Sequence, residues 1–326
     1  MTHPNNPTRP QPMNTVGSRM SLANITRGKQ PRPMRAVLYG VEGVGKSTFA
    51  AGAPSPIFLC SEDGTAHIDV ARFPTPRSWP EVLEAIRVLT HEEHSFKTLV
   101  IDTLDWLEPV VWAHVCQTGG KVNIEEFGYG KGYVLALDQW RLLLSRVDLL
   151  VKTRKVHVLM LAHASIKRVD DPQTGPFDRY RMKLHDKSAD VLREWADAVL
   201  FARHEVFAVE RKGKTRGTST GARVIHTQWT AAFDAKNRFD LPETLPLDWD
   251  EFERAAELRA PRDAGRLRAE LEELALRLPA DRREKLEKAM REWAGDNAAR
   301  LAQLLDKARG TVALAQAESA EEGGAA

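Results

Sequence analysis

The stretch that decides the fold is Met34–Ala51, which reads Met-Arg-Ala-Val-Leu-Tyr-Gly-Val-Glu-Gly-Val-Gly-Lys-Ser-Thr-Phe-Ala-Ala. Its first six residues, Met34–Tyr39, are an apolar run with the length of a buried strand, and Gly45–Ala51 has the composition of a helix start. Between them, Gly40 to Ser47 matches the P-loop pattern of Gly, four residues, and Gly-Lys-Ser. The pattern therefore lies between a strand and a helix, which is the context that a phosphate-binding loop requires.

The residue types of this turn suit phosphate binding. Glycines let backbone N–H groups turn inward around phosphate oxygens, and the N-terminus of the following helix adds positive potential. Lys46 is placed to reach the β- and γ-phosphates, and Ser47 is placed to bind Mg²⁺. We therefore predict a nucleotide site formed by Gly40, Val41, Glu42, Gly43, Val44, Gly45, Lys46, Ser47 and Thr48. The alternative is a glycine-rich turn without a ligand.

A second candidate metal ligand follows a later apolar run. Leu99-Val100-Ile101-Asp102 is a strand that ends in a carboxylate, as a magnesium-holding Walker B aspartate does. The carboxyl end of a parallel strand can lie beside the P-loop. Together, Ser47 and Asp102 are the predicted metal ligands.

Strand and helix signals alternate along this part of the chain. Ser78 and Glu81 form a capping-box pair before a helical apolar stripe, and a long helix is predicted over Val134–Val151. The predicted strands are Met34–Tyr39, Pro56–Cys60, Thr98–Ile101 and Val156–Ala162, with further strand-like segments at Ala198–Ala202, Val206–Glu210 and Arg223–Thr230. This alternation predicts an α/β fold with a mostly parallel sheet covered by helices on both faces.

Composition divides the 326 residues into four parts. Residues 1–33 hold six prolines and are basic, which predicts a disordered arm, and residues 34–250 form the predicted α/β core. Residues 251–315 are rich in Ala, Leu, Glu and Arg and predict a helical appendage, followed by a disordered tail at 316–326.

Composition also limits which cellular location and which bound groups the sequence predicts. The longest apolar runs are too short to cross a bilayer, and two cysteines cannot make a disulfide framework, so we expect no membrane association and a cytoplasmic location. The histidines and cysteines show no zinc-ligand spacing. A net charge of +2 favours no particular partner.

A general base is also expected, and its position is not the common one. A strand with its own helix lies between the P-loop and Asp102, and in this the chain resembles P-loop ATPases with an inserted strand. Many of these carry a water-activating glutamate directly after the Walker B aspartate, where this chain has Thr103. The inserted strand offers Glu62 at its carboxyl end, with Asp63 as the competing candidate. The alternative interpretation is that both carboxylates lie in a solvated turn and take no part in catalysis.

This arrangement resembles the RecA-like core, in which the catalytic glutamate follows the second strand. The fourth strand ends in His163, where RecA-like proteins have a polar γ-phosphate sensor that is usually Gln. Lys236-Asn237-Arg238-Phe239 is similar to the Lys-Asn-Lys stretch of RecA, whose two basic residues reach the nucleotide of the neighbouring subunit. Over residues 34 to about 250 the pattern is most similar to bacteriophage RecA-like ATPases of the Sak-type single-strand annealing family.

The resemblance implies an ATP- and Mg²⁺-dependent ATPase of phage recombination or annealing, active as a homo-oligomer in the cytoplasm of an infected bacterium. Its implied partners are single-stranded DNA and a phage single-strand binding protein. The implied catalytic residues are Lys46, Glu62 and His163, with Lys236 and Arg238 completing the site of a neighbouring subunit. Strand exchange is not implied, because the first DNA-binding loop has no residue-by-residue match.

The segment after His163 is the predicted DNA-binding loop. Residues 164–187 combine basic residues, two aromatic residues, prolines and a glycine, as single-strand binding loops do. The candidate contacts are Lys167, Arg168, Arg179, Tyr180, Arg181 and Lys183. A plain solvated loop is the alternative. Residues 118–131 are a second candidate loop, and the basic turn at 211–216 could add to the same surface.

Two other functions are compatible with the same motifs. One is a replication or packaging accessory, such as a helicase loader, built on the same core. The other is a nucleotide-gated DNA-binding scaffold that binds ATP with little turnover. Loss of hydrolysis on replacing Glu62 or Asp63 would separate the enzyme from the scaffold.

Overall fold

The computed structural model describes residues 20–26, 32–62, 64–211, 214–256, 258 and 264–294, together with 300, 301, 304, 305, 307, 308 and 311. Its strands are β1 Arg35–Gly40, β2 Pro56–Cys60, β3 Ala71–Arg72, β4 Thr98–Asp102, β5 His157–Asp171, β6 Gly175–Met182, β7 Ala198–Arg211, β8 Lys214–His226, β9 Lys236–Asn237 and β10 Thr244–Pro246. Its helices are α1 Lys46–Ala51, α2 Trp79–His91, α3 Leu104–Gly119, α4 Lys131–Arg154, α5 Asp186–Trp195, α6 Trp249–Ala255, α7 Ala264–Ala275 and α8 Ala280–Ala289.

One mixed sheet organises the core. Its strand order is β10-β8-β7-β1-β5-β4-β2-β3, and β6 and β9 pair with β5 and β7 outside this path. The central pairs, from β7 through β1, β5, β4 and β2 to β3, are all parallel. The antiparallel pairs lie at the β8 side and in the β5–β6 hairpin. The α/β class with a mostly parallel sheet, predicted from the alternation of strands and helices, is confirmed.

Both faces of the central strands are buried, which explains why these strands are continuous apolar runs. In β1, Val37 and Tyr39 belong to one apolar cluster, which is covered by α2, α3, α4 and α5. Ala36 and Leu38 belong to the other cluster, which is covered by α1 and α6. Successive side chains of a strand point to opposite faces, so each central strand supplies both clusters. The carboxyl ends of β1, β2, β4 and β5 are thereby held at one edge of the sheet.

The predicted loop at residues 164–187 is largely a β-hairpin. β5 does not end at Ala162 but continues to Asp171, and it pairs with β6 from Ala164↔Met182 to Asp171↔Gly175. The Asp171 side chain accepts hydrogen bonds from the Gln173 and Thr174 backbone N–H groups, and Gly175 has a φ of 79°. The prediction missed the hairpin because charged and polar residues interrupt the apolar positions of both strands, which therefore lack the regular apolar alternation that marks a half-buried strand.

Other boundaries differ in smaller ways. β7 is one continuous strand with an irregularity between His204 and Val206, where two strands were predicted, and β8 ends at His226 rather than Thr230. The candidate loop at 118–131 contains a 3-10 helix at Ile124–Phe127. Ser78 caps α2 by position without a side-chain hydrogen bond, while the Glu81 carboxylate accepts from the Arg77 backbone N–H.

The C-terminal helices have their own apolar cluster. Leu267, Leu271, Leu286 and Met290 are among its buried members. α6 instead packs on the core, where Trp249 lies 5.3 Å from Phe49 between ring centroids, so the predicted boundary at residue 250 falls inside α6.

The structure describes few residues of the predicted N-terminal arm and none of the predicted C-terminal tail. Most of the predicted arm at 1–33 and the whole predicted tail at 316–326 lie outside the described residues. In the part of the chain that the structure describes, no helix is long and apolar enough to span a membrane.

Candidate active site

The turn between β1 and α1 has the backbone geometry of a phosphate-binding loop. Gly43 and Gly45 have φ angles of 70° and 102°, which side chains with a Cβ rarely adopt. Gly40 meets a different constraint, because an added Cβ would overlap the Ala202 carbonyl oxygen on β7. Glycine is thus required at the strand end for packing and within the turn for conformation.

Lys46 is buried at the centre of this turn. Its ammonium donates hydrogen bonds to the Gly40 and Val41 carbonyl oxygens at 3.2 and 3.1 Å. Burial lowers the pKa of Lys46, and the nearby Asp102 carboxylate opposes this shift. Its side chain is 6% exposed, and the two carbonyls hold it at the base of the cleft.

Ser47 and Asp102 are brought together from α1 and the end of β4. The Ser47 hydroxyl donates to the Asp102 carboxylate at 2.6 Å, and Asp102 is 3% exposed. Burial raises the pKa of Asp102, while the hydrogen bond from Ser47 and the charge of Lys46 oppose this effect. A hydroxyl and a carboxylate are hard oxygen donors, and Mg²⁺ uses few protein ligands together with substrate phosphates. These two side chains therefore fit a magnesium site.

Glu62 reaches the same cleft from the end of β2. Ser61 joins this strand end to β4, because its backbone N–H donates to the Asp102 carbonyl at 2.8 Å and its hydroxyl donates to the Thr103 carbonyl at 2.7 Å. Burial raises the pKa of the Glu62 carboxyl, with an opposing effect from His163. The competing candidate Asp63 lies outside the described residues.

His163 stands at the end of β5, beside the cleft. Its Nδ1 lies 2.8 Å from the Asp105 Oδ2, and its backbone N–H donates to Asp105 Oδ1 at 2.8 Å. Burial acts to raise the pKa of Asp105, but the hydrogen bonds from His163 outweigh it and the pKa is lowered. Asp105 is a residue that the sequence analysis missed. Its position three residues after Asp102, in the first turn of α3, is the signal that could have found it.

These groups line one cleft of about 280 Å³. Beyond the P-loop residues, it is lined by Glu62, His67, Asp102, Thr103, His163 and Arg223. A second cleft of about 220 Å³ shares Gly45, Thr48 and Arg223 with it and extends to Trp249 and Asp250. Arg223, on β8, and His67 line the first cleft, and the sequence analysis assigned neither to the site.

Lys236 and Arg238 lie at the opposite edge of the sheet. β9 pairs with Ala198 and Val199 at the start of β7, whereas the P-loop follows Gly40, which pairs with Ala202. Four strand residues separate the two positions by about 13 Å. The Lys236 ammonium donates to the Arg193 and Glu194 carbonyls, and Arg238 pairs with the buried Asp197 at 3.4 Å. The structure does not bring these two residues into the cleft of their own chain.

The predicted DNA-binding residues separate into two groups. Three of the side chains are engaged within the chain: Arg179 and Arg181 form ion pairs with the buried Asp234, and Lys167 pairs with Asp186. The Tyr180 ring is half-buried and packs against the core, 5.1 Å from the Phe201 ring between centroids, so it is not a free stacking surface. Arg168 and Lys183 remain exposed.

The basic turn at 211–216 is part of the β7–β8 hairpin, whose backbone pairing runs to Arg211↔Lys214. Lys212 and Gly213, at its tip, lie outside the described residues.

The chain is similar to one protein family and to a solved structure. Among solved structures, the crystal structure of the RadB recombinase matches 60% of this chain and 80% of that chain, at 13% sequence identity and a TM-score of 0.34. No curated protein matches the chain. The family model described as AAA domain (AAA_24) matches residues 32–239, which hold the P-loop, Glu62, Asp102 and His163. This match covers well over half of the 326 residues. The chain therefore belongs to the AAA domain family.

Proposed function

We propose that this protein is a Mg²⁺-dependent ATPase of the RecA-like type that acts on single-stranded DNA in phage recombination or annealing. The observation that carries the ATPase part is the meeting of Lys46, Ser47 and Asp102 in one cleft, from a P-loop and the end of a parallel strand. Membership of the AAA domain family supports nucleotide binding at this place.

Each residue of the cleft has a role that its surroundings support. The P-loop amides and Lys46 bind the phosphates, and Ser47 and Asp102 hold Mg²⁺, which neutralises phosphate charge when it is bound. Glu62 accepts a proton from the attacking water, since burial raises its pKa and so makes the carboxylate a better proton acceptor. His163 contacts the γ-phosphate end of the cleft.

The continuity of β5 supports a link between this cleft and DNA. β5 runs from the central sheet through His163 into the β5–β6 hairpin without a break. Lys183 directly follows β6, and its ammonium lies 4.0 Å from the Glu42 carboxylate of the P-loop. A shift of His163 upon ATP binding would therefore be transmitted directly to the strand that carries Arg168. In this proposal the exposed cations of the hairpin bind DNA phosphates, and the chain works as a homo-oligomer.

Two substitutions test the ATPase proposal. Lys46→Ala removes the cation that binds the phosphates, so we expect nucleotide binding or hydrolysis to be lost. Glu62→Gln keeps the size of the side chain but cannot accept the proton, so turnover should fall roughly a hundredfold with ADP affinity retained. The measurements are ATP turnover and calorimetric affinity, each without DNA, with single-stranded DNA and with duplex DNA.

Arg141→Ala is the matched control, because it removes an exposed charge from α4, away from the cleft. Unchanged turnover in Lys46→Ala would overturn the ATPase assignment. Normal ATP binding with negligible turnover in the unmodified chain would favour the nucleotide-gated scaffold. Turnover that duplex DNA stimulates more than single-stranded DNA would favour a replication or packaging accessory.

A further inference from the structure

Arg223 holds an exposed charge directly above the P-loop. Its Nη1 lies 3.5 Å from the Val44 carbonyl oxygen, and a Cβ added at Gly45 would meet this Nη1 at 2.5 Å. In the part of the chain that the structure describes, no carboxylate lies within ion-pair distance of the Arg223 guanidinium. Among the described residues, this cation therefore has no ion-pair partner at the place where an anionic ligand would lie, although Asp248 and Asp250 line the second cleft with it.

The backbone of Arg223 is held firmly on both sides. Within β8 it pairs with His204 of β7, and its carbonyl accepts a hydrogen bond from the Leu247 N–H at 2.9 Å. β10 pairs with the next residues of β8, beginning at Val224↔Pro246. A side chain that projects from a doubly paired strand has a defined reach, which suits a role in ligand binding.

Its place between the two clefts indicates which part of a nucleotide it would contact. The first cleft contains Glu62, Asp102 and His163, which mark the γ-phosphate end. The second cleft contains none of these three residues, and it shares Gly45, Thr48 and Arg223 with the first. A group at the junction faces the middle of a nucleotide whose phosphates lie in the first cleft.

We infer that Arg223 binds the α- and β-phosphates of the nucleotide held by its own subunit. This inference rests on the proposed nucleotide site. A guanidinium offers a planar fork of donors that matches phosphate oxygens, and a charge-assisted hydrogen bond of this kind is strong. Gly45 has a second reason to be glycine, because a side chain there would displace the Arg223 guanidinium.

Calorimetric titration with Mg·ADP and Mg·ATP tests this inference, with ATP measured in a Glu62→Gln background to prevent hydrolysis. Arg223→Gln, which removes the charge and keeps much of the bulk, should weaken both nucleotides by the same factor, about tenfold or more. Arg223→Lys should recover part of the loss, since it keeps the charge but not the fork. The melting temperature of each variant without nucleotide should stay near the original value, and Arg141→Ala should bind as the unmodified chain does.

The outcomes separate this inference from the proposal on which it rests. If the unmodified chain binds neither nucleotide, the nucleotide site and the role of Arg223 both fail. A different outcome is that the unmodified chain binds both nucleotides, Lys46→Ala does not bind them, and both Arg223 variants bind them with full affinity. That outcome overturns only the role of Arg223. A loss confined to Mg·ATP would place Arg223 at the γ-phosphate and would overturn the assignment to the α- and β-phosphates.

Discussion

At the scale of single residues, Asp105 determines how the imidazole of His163 can act. The lowered pKa of Asp105 means that its carboxylate is ionised near neutral pH, so Nδ1 of His163 must carry the proton in their hydrogen bond. With Nδ1 engaged by Asp105, Nε2 is the nitrogen that remains for contacts in the cleft. Asp105 is thus a positioning residue in the proposed mechanism, because it selects the tautomer of the residue beside the γ-phosphate.

This assignment predicts the effect of Asp105→Asn. Both Asp105 oxygens accept hydrogen bonds from His163, whereas an amide offers one acceptor and one donor. If the amide oxygen keeps the backbone N–H of His163, its NH₂ group faces Nδ1 and favours the other tautomer. We expect ATP turnover to fall by about ten- to a hundredfold with little change in ADP affinity.

A glutamine at position 163 provides the control for this prediction, since its hydrogen bonding does not depend on an imidazole tautomer. In a His163→Gln background, Asp105→Asn should have little further effect on turnover. An equal loss in both backgrounds, or a loss of ADP binding, would mean that Asp105 acts on the structure of the site rather than through His163.

At the scale of elements, the β5–β6 hairpin combines an internal ion-pair network with an exposed basic edge. Arg179, Arg181 and Arg193 surround the buried Asp234, and the Arg179 guanidinium also lies 4.6 Å from the centre of the Trp229 ring. These contacts attach the hairpin to the segment between β8 and β9. Removing the arginines would leave the Asp234 carboxylate buried without its partners. Such a variant would lose stability of the fold as well as positive charge, so a loss of DNA binding would have two causes.

The exposed cations are therefore the better test of DNA binding. Lys187, in the first turn of α5, is a third exposed cation next to the hairpin. Replacing Arg168, Lys183 and Lys187 together with alanine should weaken single-stranded DNA binding. It should also lower the slope of log affinity against log salt concentration by roughly 0.7 per lost phosphate contact. Fluorescence anisotropy at several salt concentrations measures both quantities. ATP affinity without DNA should stay near its original value.

The control for the hairpin variant removes the same charge elsewhere. Arg77, Arg141 and Lys152 are exposed cations on or beside α2 and α4, and replacing them should leave the affinity and the slope unchanged. If the hairpin variant also keeps both values, DNA binds at another surface, and the basic turn at 211–216 or the N-terminal arm becomes the next candidate.

At the scale of the whole molecule, the position of Lys236 and Arg238 bears on assembly. Both lie at the edge of the sheet opposite the P-loop, so within one chain they hold α5 and Asp197 rather than the nucleotide. The resemblance to RecA implies that they complete the site of a neighbouring subunit. In that case two different defective chains can form an intact shared site.

Subunit mixing tests this proposal. Chains with Lys46→Ala and chains with Lys236→Ala/Arg238→Ala should each be inactive alone and should recover part of the ATPase activity when mixed. The control mixes Lys46→Ala chains with Glu62→Gln chains. Every cleft then lacks one residue that its own chain should supply, so a neighbouring subunit cannot restore it and no activity should be recovered. If co-assembled chains of the first mixture stay inactive, Lys236 and Arg238 act only within their own chain.

The sequence by itself determined the features that depend on neighbouring residues. The P-loop and its flanking strand and helix lie in one short stretch, and Asp102 stands at the end of an apolar strand. The local sequence therefore predicts both the chemical role of these residues and their place in the sheet. The strand and helix alternation predicted the parallel sheet, because strands buried on both faces must be apolar throughout. The position of Glu62 near the P-loop could be predicted in the same way, because Glu62 follows a parallel strand and the carboxyl ends of parallel strands meet at one edge of the sheet.

Only the tertiary structure decided which distant side chains meet. Asp105 and His163 are 58 residues apart, Arg223 is 179 residues from Val44, and Arg179 is 55 residues from Asp234. The strand order and the hairpin create these contacts, and no local pattern encodes them. A count of basic residues in 164–187 could not show that Arg179 and Arg181 are engaged by a carboxylate from another segment. Hydrophobic periodicity determines where a backbone lies in the sheet, whereas the partner of a charge depends on which segments the folded sheet places side by side.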